Sequence, residues 1–253
     1  MRFHSALSGL EQEGRLLSDK YSSVELNSAS RSAAVLGATG LVGGHCLQAL
    51  LDQAEFGSVL ALGRRQVELQ HPKLRQKLVQ LGTLTGGVDF SGITDVFCCL
   101  GTTIKQAGSQ EAFRRVDHDY VVDAASAAYA QGAKQFLLVS SIGADAASRI
   151  FYSRVKGEVE RDVSMIGFNA VHIFRPSFLV GDREEPRFRE KAATTVSKAI
   201  SFLFAGPFRK YKPIEARTVA RVMAKIALKN QAGINIHESD EIQGEYSEES
   251  GTR

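Results

Sequence analysis

Between Ala33 and Phe174 the chain alternates two kinds of segment, and this alternation limits its fold more than any other feature. Short, largely apolar runs recur: AAVLG near 33–37, SVLAL near 58–62, KLVQL near 77–81, DVFCCL near 95–100, QFLLVS near 135–140 and AVHIF near 170–174. Longer amphipathic stretches lie between them, with helices expected over 41–55, 109–131 and 149–166. A strand that is apolar on both sides of its pleat must be covered on both faces, as in the interior of a parallel sheet. Strand and helix in strict alternation then imply right-handed crossovers. The expected class is α/β, a doubly wound parallel sheet.

Three divisions are expected along the chain. Residues 1–31 are polar and Ser-rich, with a modest helical pattern at Leu7, Leu10 and Leu17, and read as a half-ordered extension. Residues 32–180 carry the alternation. Residues 181–253 read as a small substrate-side region completing the same domain. In it, an irregular charged stretch surrounds the stripe Val196, Ile200, Leu203 and Phe204, which suits core or lid packing. The helix EARTVARVMAKIALK follows, and DEIQGEYSEESGTR reads as a frayed polar tail. The cluster Arg183, Arg187, Arg189, Arg209, Lys210 and Lys212 is either a solvated face or a contact for an acidic substrate or protein partner.

Composition excludes several classes of function. A net charge of only +3, spread along the length, provides no basic field for nucleic acid. The three cysteines, Cys46, Cys98 and Cys99, are odd in number and two are adjacent. That is a poor disulfide framework and favours a reducing compartment. The six histidines are scattered without metal-ligand spacing, so no metal is expected. No apolar run reaches the ~18 residues of a membrane span. The start MRFHSALSGLEQEG turns acidic before a secretory core develops. A soluble, cytoplasmic protein is the expectation.

The string VLGATGLVGG links the first strand to the first long helix, with Gly37, Gly40 and Gly43 at G-x-x-G-x-x-G spacing. Gly37 permits a tight turn, Gly40 lets a pyrophosphate approach the backbone, and Gly43 allows close helix packing. Ala38, Thr39, Leu41 and Val42 complete the cradle around the helix N-terminus. The second strand ends in Gly63, Arg64 and Arg65, where an acidic residue would favour NAD. Two guanidiniums there match a 2′-phosphate, so the expected cofactor is NADPH.

Strand ends four and five line the far side of such a crevice. Leu100, Gly101 and Thr102, with Thr103, either pass close to the cofactor or form a plain turn. Ser140 and Ser141 stand at the same rim, and YSRVK puts Tyr152 and Lys156 one helical turn apart. An ammonium beside a phenol favours the phenolate, which suits proton transfer near neutral pH. Arg175 and Pro176 after strand six either meet the carboxamide or form a structural loop. Cys99 either lines the pocket or is a buried small thiol.

Together GATGLVG, GRR, the Ser pair and YSRVK resemble the short-chain dehydrogenase/reductase superfamily in its atypical NAD(P)-binding branch. VLALGRR, VFCCLGTT, RVDHDYV, VKGEVE and FRPSFLVGDR are similar to the Tat-interacting oxidoreductase-like family over residues 32–228. The resemblance implies a Rossmann fold with NADPH along the glycine turn, Tyr152 and Lys156 as the catalytic pair, and Ser141 as the catalytic serine with Ser140 as alternate. It also implies regulatory or partner-binding roles and poorly defined substrates. The chain departs from the superfamily at Asp117, where many members have an Asn supporting a relay water. The resulting expectation is hydride transfer from NADPH to an unidentified carbonyl-type substrate. The alternative is an NADPH-sensing module without turnover, and an epimerase or dehydratase stands third.

Overall fold

The computed structural model describes residues 31–80, 88–181 and 210–250. Seven strands form one parallel sheet: β1 (Arg31–Leu36), β2 (Phe56–Gly63), β3 (Leu74–Leu78), β4 (Asp95–Cys98), β5 (Gln135–Val139), β6 (Ala170–Arg175) and, last in the chain, β9 (Gly233–Glu238). Their order is β3-β2-β1-β4-β5-β6-β9. Short β7 (Leu179–Val180) and β8 (Ile214–Glu215) pair separately. The helices are α1 (Leu41–Asp52), α2 (Ile104–Ala107), α3 (Gln110–Arg114), α4 (Tyr120–Ala130), α5 (Phe151–Ser164), α6 (Ala216–Leu228) and α7 (Ser239–Ser250).

This is the Rossmann-like α/β fold expected from the sequence. The central strands β1, β4 and β5 are nearly or wholly buried because each face carries its own apolar layer. On one side Val35, Phe97 and Leu137 pack with Leu47 and Leu50 of α1 and Val219 and Met223 of α6. On the other, Leu36, Val96 and Leu138 pack with Val121 of α4 and Val159 of α5. The chain builds outward from β1 to β3, then returns to start β4 on β1's other side. That reversal opens a crevice at the carboxyl ends of β1 and β4. Leu36 pairs with Cys98 in register, so both chains leave the sheet together at the crevice.

Between α3 and α4 the helix widens into a π turn, Arg115–Asp119. Ser109 caps the start of α3 by accepting the Ala112 N–H at 3.1 Å. A π turn within an α-helix is rare and often marks a functional position. This one carries Asp117.

Three expectations need correction. The third strand is Leu74–Leu78 rather than 77–81, because pairing to Val59–Gly63 fixes its register and its exposed edge gives no apolar signal. The seventh strand, GINIHE, went unread because Ile234 and Ile236 face outward on a sheet edge. The expected frayed tail is helix α7. Its Ile242 is buried against the core, and Glu245 pairs with Lys225 at 3.1 Å and Lys229 at 2.7 Å on α6. The stripe Val196, Ile200, Leu203 and Phe204, and Arg183, Arg187, Arg189 and Arg209, lie outside the described residues. Among the described residues no helix is long and apolar enough to cross a membrane.

Candidate cofactor and active site

The glycine turn is shaped by close backbone approach. Gly37 has φ +80°, and a Cβ there would lie 2.7 Å from the Cys99 carbonyl oxygen. A Cβ on Gly43 would lie 2.1 Å from the Gly37 oxygen, and one on Gly40 3.1 Å from the same atom. Helix α1 is therefore seated directly on the turn. Among the described residues no side chain caps its N-terminus, and its first turn holds no acidic residue. Its first N–H groups lack intrahelical partners, and its dipole presents a positive end. An open backbone cradle with free donors fits a pyrophosphate. Val42 and Ala38 are buried beneath it, Leu41 is half-buried and Thr39 is exposed.

Gly63 ends β2, and Arg64 and Arg65 follow it, both exposed. A small hollow beside them is lined by Ala38, Thr39, Gly63, Arg65, Lys77 and Leu78. Lys77 comes from β3, near its carboxyl end rather than at the start expected from the bounds 77–81. Arg65 and Lys77 thus share the wall of this hollow, a pairing that no sequence spacing announces.

At the other end, β4 runs into buried Leu100, exposed Gly101 and half-buried Thr102. Helix α5 supplies Tyr152 and Lys156 from one face. Tyr152 is half-buried with its ring 5.4 Å from that of Phe113. The Lys156 side chain is 6% exposed, and its Nζ lies 2.8 Å from Asp117 Oδ1. Burial disfavours the Lys156 ammonium, but the Asp117 carboxylate, the Tyr152 phenol and a hydrogen bond to Asp117 outweigh it and hold its pKa above the usual lysine value. The nearby Cys98 thiol is pushed up to about 12 by burial, so it is no nucleophile near neutrality.

The two serines differ. Ser140 is buried and donates to Glu160. Glu160 also holds Arg175, through Nη2 at 2.6 Å and Nε at 3.1 Å, while Arg175 Nη1 reaches Glu238 at 3.0 Å. Ser140 and Arg175 are thus tied together through a carboxylate that the sequence reading did not single out, at the joint of β5, α5, β6 and β9. Ser141 is half-buried, and among the described residues its hydroxyl meets only the Ile142 carbonyl, at 3.3 Å. The buried Pro176 offers its carbonyl to Ile142 N–H at 3.0 Å, which pins the serine loop to the end of β6.

Gly157 was also missed. A Cβ there would lie 2.1 Å from Ala146 N and 2.2 Å from Asp145 C. The loop after Ser141 therefore lies flat on α5, where Asp145 N–H donates to the Ser153 carbonyl at 3.0 Å. No local sequence signal marks this contact, because Gly157 sits inside an otherwise ordinary helix.

Residues 37–230 match the sequence profile of a family described as NAD(P)H-binding. The chain belongs to this family. Protein HTATIP2 of Rattus norvegicus is 40% identical over 162 residues, covering 62% of this chain and 66% of that protein, just under two thirds of its length. Protein FMP52, mitochondrial, of Eremothecium gossypii is 32% identical over 216 residues, covering 83% and 95%. Among solved structures, the Bordetella bronchiseptica enzyme WbmH in complex with NAD+ superposes with a TM-score of 0.60 at 14% identity, covering 86% of this chain and 79% of that one. This last likeness is one of fold. The relatives agree with the Tat-interacting oxidoreductase-like resemblance. They also correct one expectation: the fungal relative is named mitochondrial, and a cytoplasmic location no longer stands.

Proposed function

We propose that this chain is an NADPH-dependent oxidoreductase acting on a carbonyl-type substrate. The observation that carries the reading is the juxtaposition on α5: Tyr152 and Lys156 one turn apart, with the amine buried and ion-paired. NADPH supplies the hydride when bound. The cradle at Gly37–Gly43 takes the pyrophosphate, and Arg64 and Arg65, with Lys77, take the 2′-phosphate. Leu100, Gly101 and Thr102 line the nicotinamide end. Ser141 holds the acceptor oxygen, Tyr152 gives it a proton, and Lys156 anchors the ribose beside it. Ser140, Arg175 and Pro176 act as the frame of this site. A mitochondrial location is carried over, as part of the proposal, from the name of the fungal relative.

The test is single-turnover oxidation of bound NADPH against a panel of aldehydes and ketones. An acceptor that oxidises it, with Tyr152→Phe slowing the step by at least ~100-fold and shifting NADPH affinity by less than about threefold, supports the reading. Tight NADPH binding with no oxidation by any acceptor would instead mean a sensing module.

A further inference from the structure

Asp117 stands where three elements meet. Its side chain is fully buried in the π turn. One carboxylate oxygen accepts the Thr102 N–H at 2.9 Å, and the other meets Lys156 Nζ at 2.8 Å. A Cβ on Gly101 would lie 3.4 Å from Oδ1 and 3.9 Å from Nζ, so the loop after β4 passes directly over the pair. The titratable groups facing the ammonium are Asp117 from the π turn, Tyr152 from its own helix and Cys98 from β4.

We propose that Asp117 is a positioning residue acting through Lys156: its carboxylate fixes the ammonium beneath the Gly101–Thr102 loop and supplies the counter-charge that lets a buried amine stay ionised. The inference rests on the oxidoreductase reading for its purpose, but not for its chemistry. A buried lysine without a partner readily loses its proton, whereas one against a carboxylate does not. The carboxylate also binds the loop at the nicotinamide end to the helix that bears Tyr152. An Asn at this position keeps an acceptor for Thr102 N–H and the same shape, but offers the amine only a dipole.

The experiment is NADPH affinity across pH 6–10 for wild type, Asp117→Asn, Lys156→Met and the double variant. The wild-type profile is expected to carry no lysine limb below pH 10. Asp117→Asn should acquire an alkaline loss of affinity at least ~2 pH units lower. The double variant should match Lys156→Met. A profile for Asp117→Asn that superimposes on wild type overturns the proposal, whereas wild type that binds no NADPH overturns the functional reading instead. A second measurement covers that case and a variant that fails to fold. In wild-type protein carrying 13Cε-lysine, the Lys156 signal, identified by its loss in Lys156→Arg, should not titrate below pH 10. A midpoint under pH 9 refutes the counter-charge role whatever the protein binds.

Discussion

Two adjacent glycines at the start of α1 are expected to respond oppositely to the same substitution. At Gly43 an added Cβ would sit 2.1 Å from the Gly37 carbonyl oxygen, 2.7 Å from its carbon and 3.2 Å from Ala38 Cα. Ordinary contact begins at 3.4 Å, so the helix start and the turn must part by about 1.3 Å. All the opposing atoms are backbone, and Gly37 is itself hemmed in by Cys99, so α1 must give way. A displacement of ~1 Å takes an N–H donor from ~2.9 Å to nearly 4 Å from a phosphate oxygen, beyond hydrogen-bond range. Hydrogen bonds to charged groups contribute ~1.5–3 kcal/mol each, so losing two costs about 3–6 kcal/mol. That is roughly 10²- to 10⁴-fold in affinity. At Gly44 the Cβ meets, among the described residues, only the Ala38 carbonyl at 3.5 Å, an ordinary contact, and the position is exposed. Gly44→Ala should leave binding unchanged and stabilise the helix by up to ~1 kcal/mol. Fluorescence titration with NADPH and a thermal melt of both variants provide the comparison. A Gly43→Ala protein that binds within about threefold of wild type would refute the steric account of the cradle.

Other substitutions test the frame around the site. Gly157→Ala should lift the 142–148 loop from α5, costing at least ~1–3 kcal/mol in denaturant unfolding and slowing hydride transfer more than it weakens NADPH binding. Glu160→Gln leaves Arg175 with Glu238 as its remaining carboxylate among the described residues; exchanging the charged acceptor for a neutral one costs about 1.5–3 kcal/mol, read as a lower urea midpoint. Burial pushes the His172 imidazole down to about 4, with His237 beside it adding to the shift. An unfolded imidazole takes its proton near 6.5, so this contribution is complete above that pH and lost as pH falls towards 4. Urea midpoints at pH 7.5 and 4.5 should therefore differ less in His172→Phe than in wild type.

Much of the cradle was legible because its residues are chosen by geometry. Gly37 answers a positive φ and Gly43 a contact that no side chain survives, so both leave a mark in the sequence. Arg64 and Arg65 were legible through position, as the first residues beyond a strand whose end the fold predicts. Tyr152 and Lys156 share a face by helical period alone. What escaped depends on contacts between distant segments. Glu160 reads as the solvated face of VKGEVE, yet it is buried because Ser140 and Arg175 converge on it from two strand ends. Lys77 came into view only once the β2–β3 register was fixed. Edge strand β9 has no apolar run to announce it. Helix α7 is polar enough to pass for a tail, since among the described residues Ile242 and Tyr246 are its apolar contacts with the core and Glu245 holds it to α6 by ion pairs.

The central claim is that the crevice binds NADPH in preference to NADH through its glycine turn and arginine pair. It is tested most directly by parallel fluorescence titrations of the purified protein with the two cofactors, repeated on Arg64→Ala/Arg65→Ala. NADPH should bind tighter by at least ~10-fold, with the preference abolished in the double variant and NADH affinity little changed. Equal binding of both cofactors by wild type, or a preference that survives loss of both guanidiniums, would contradict it.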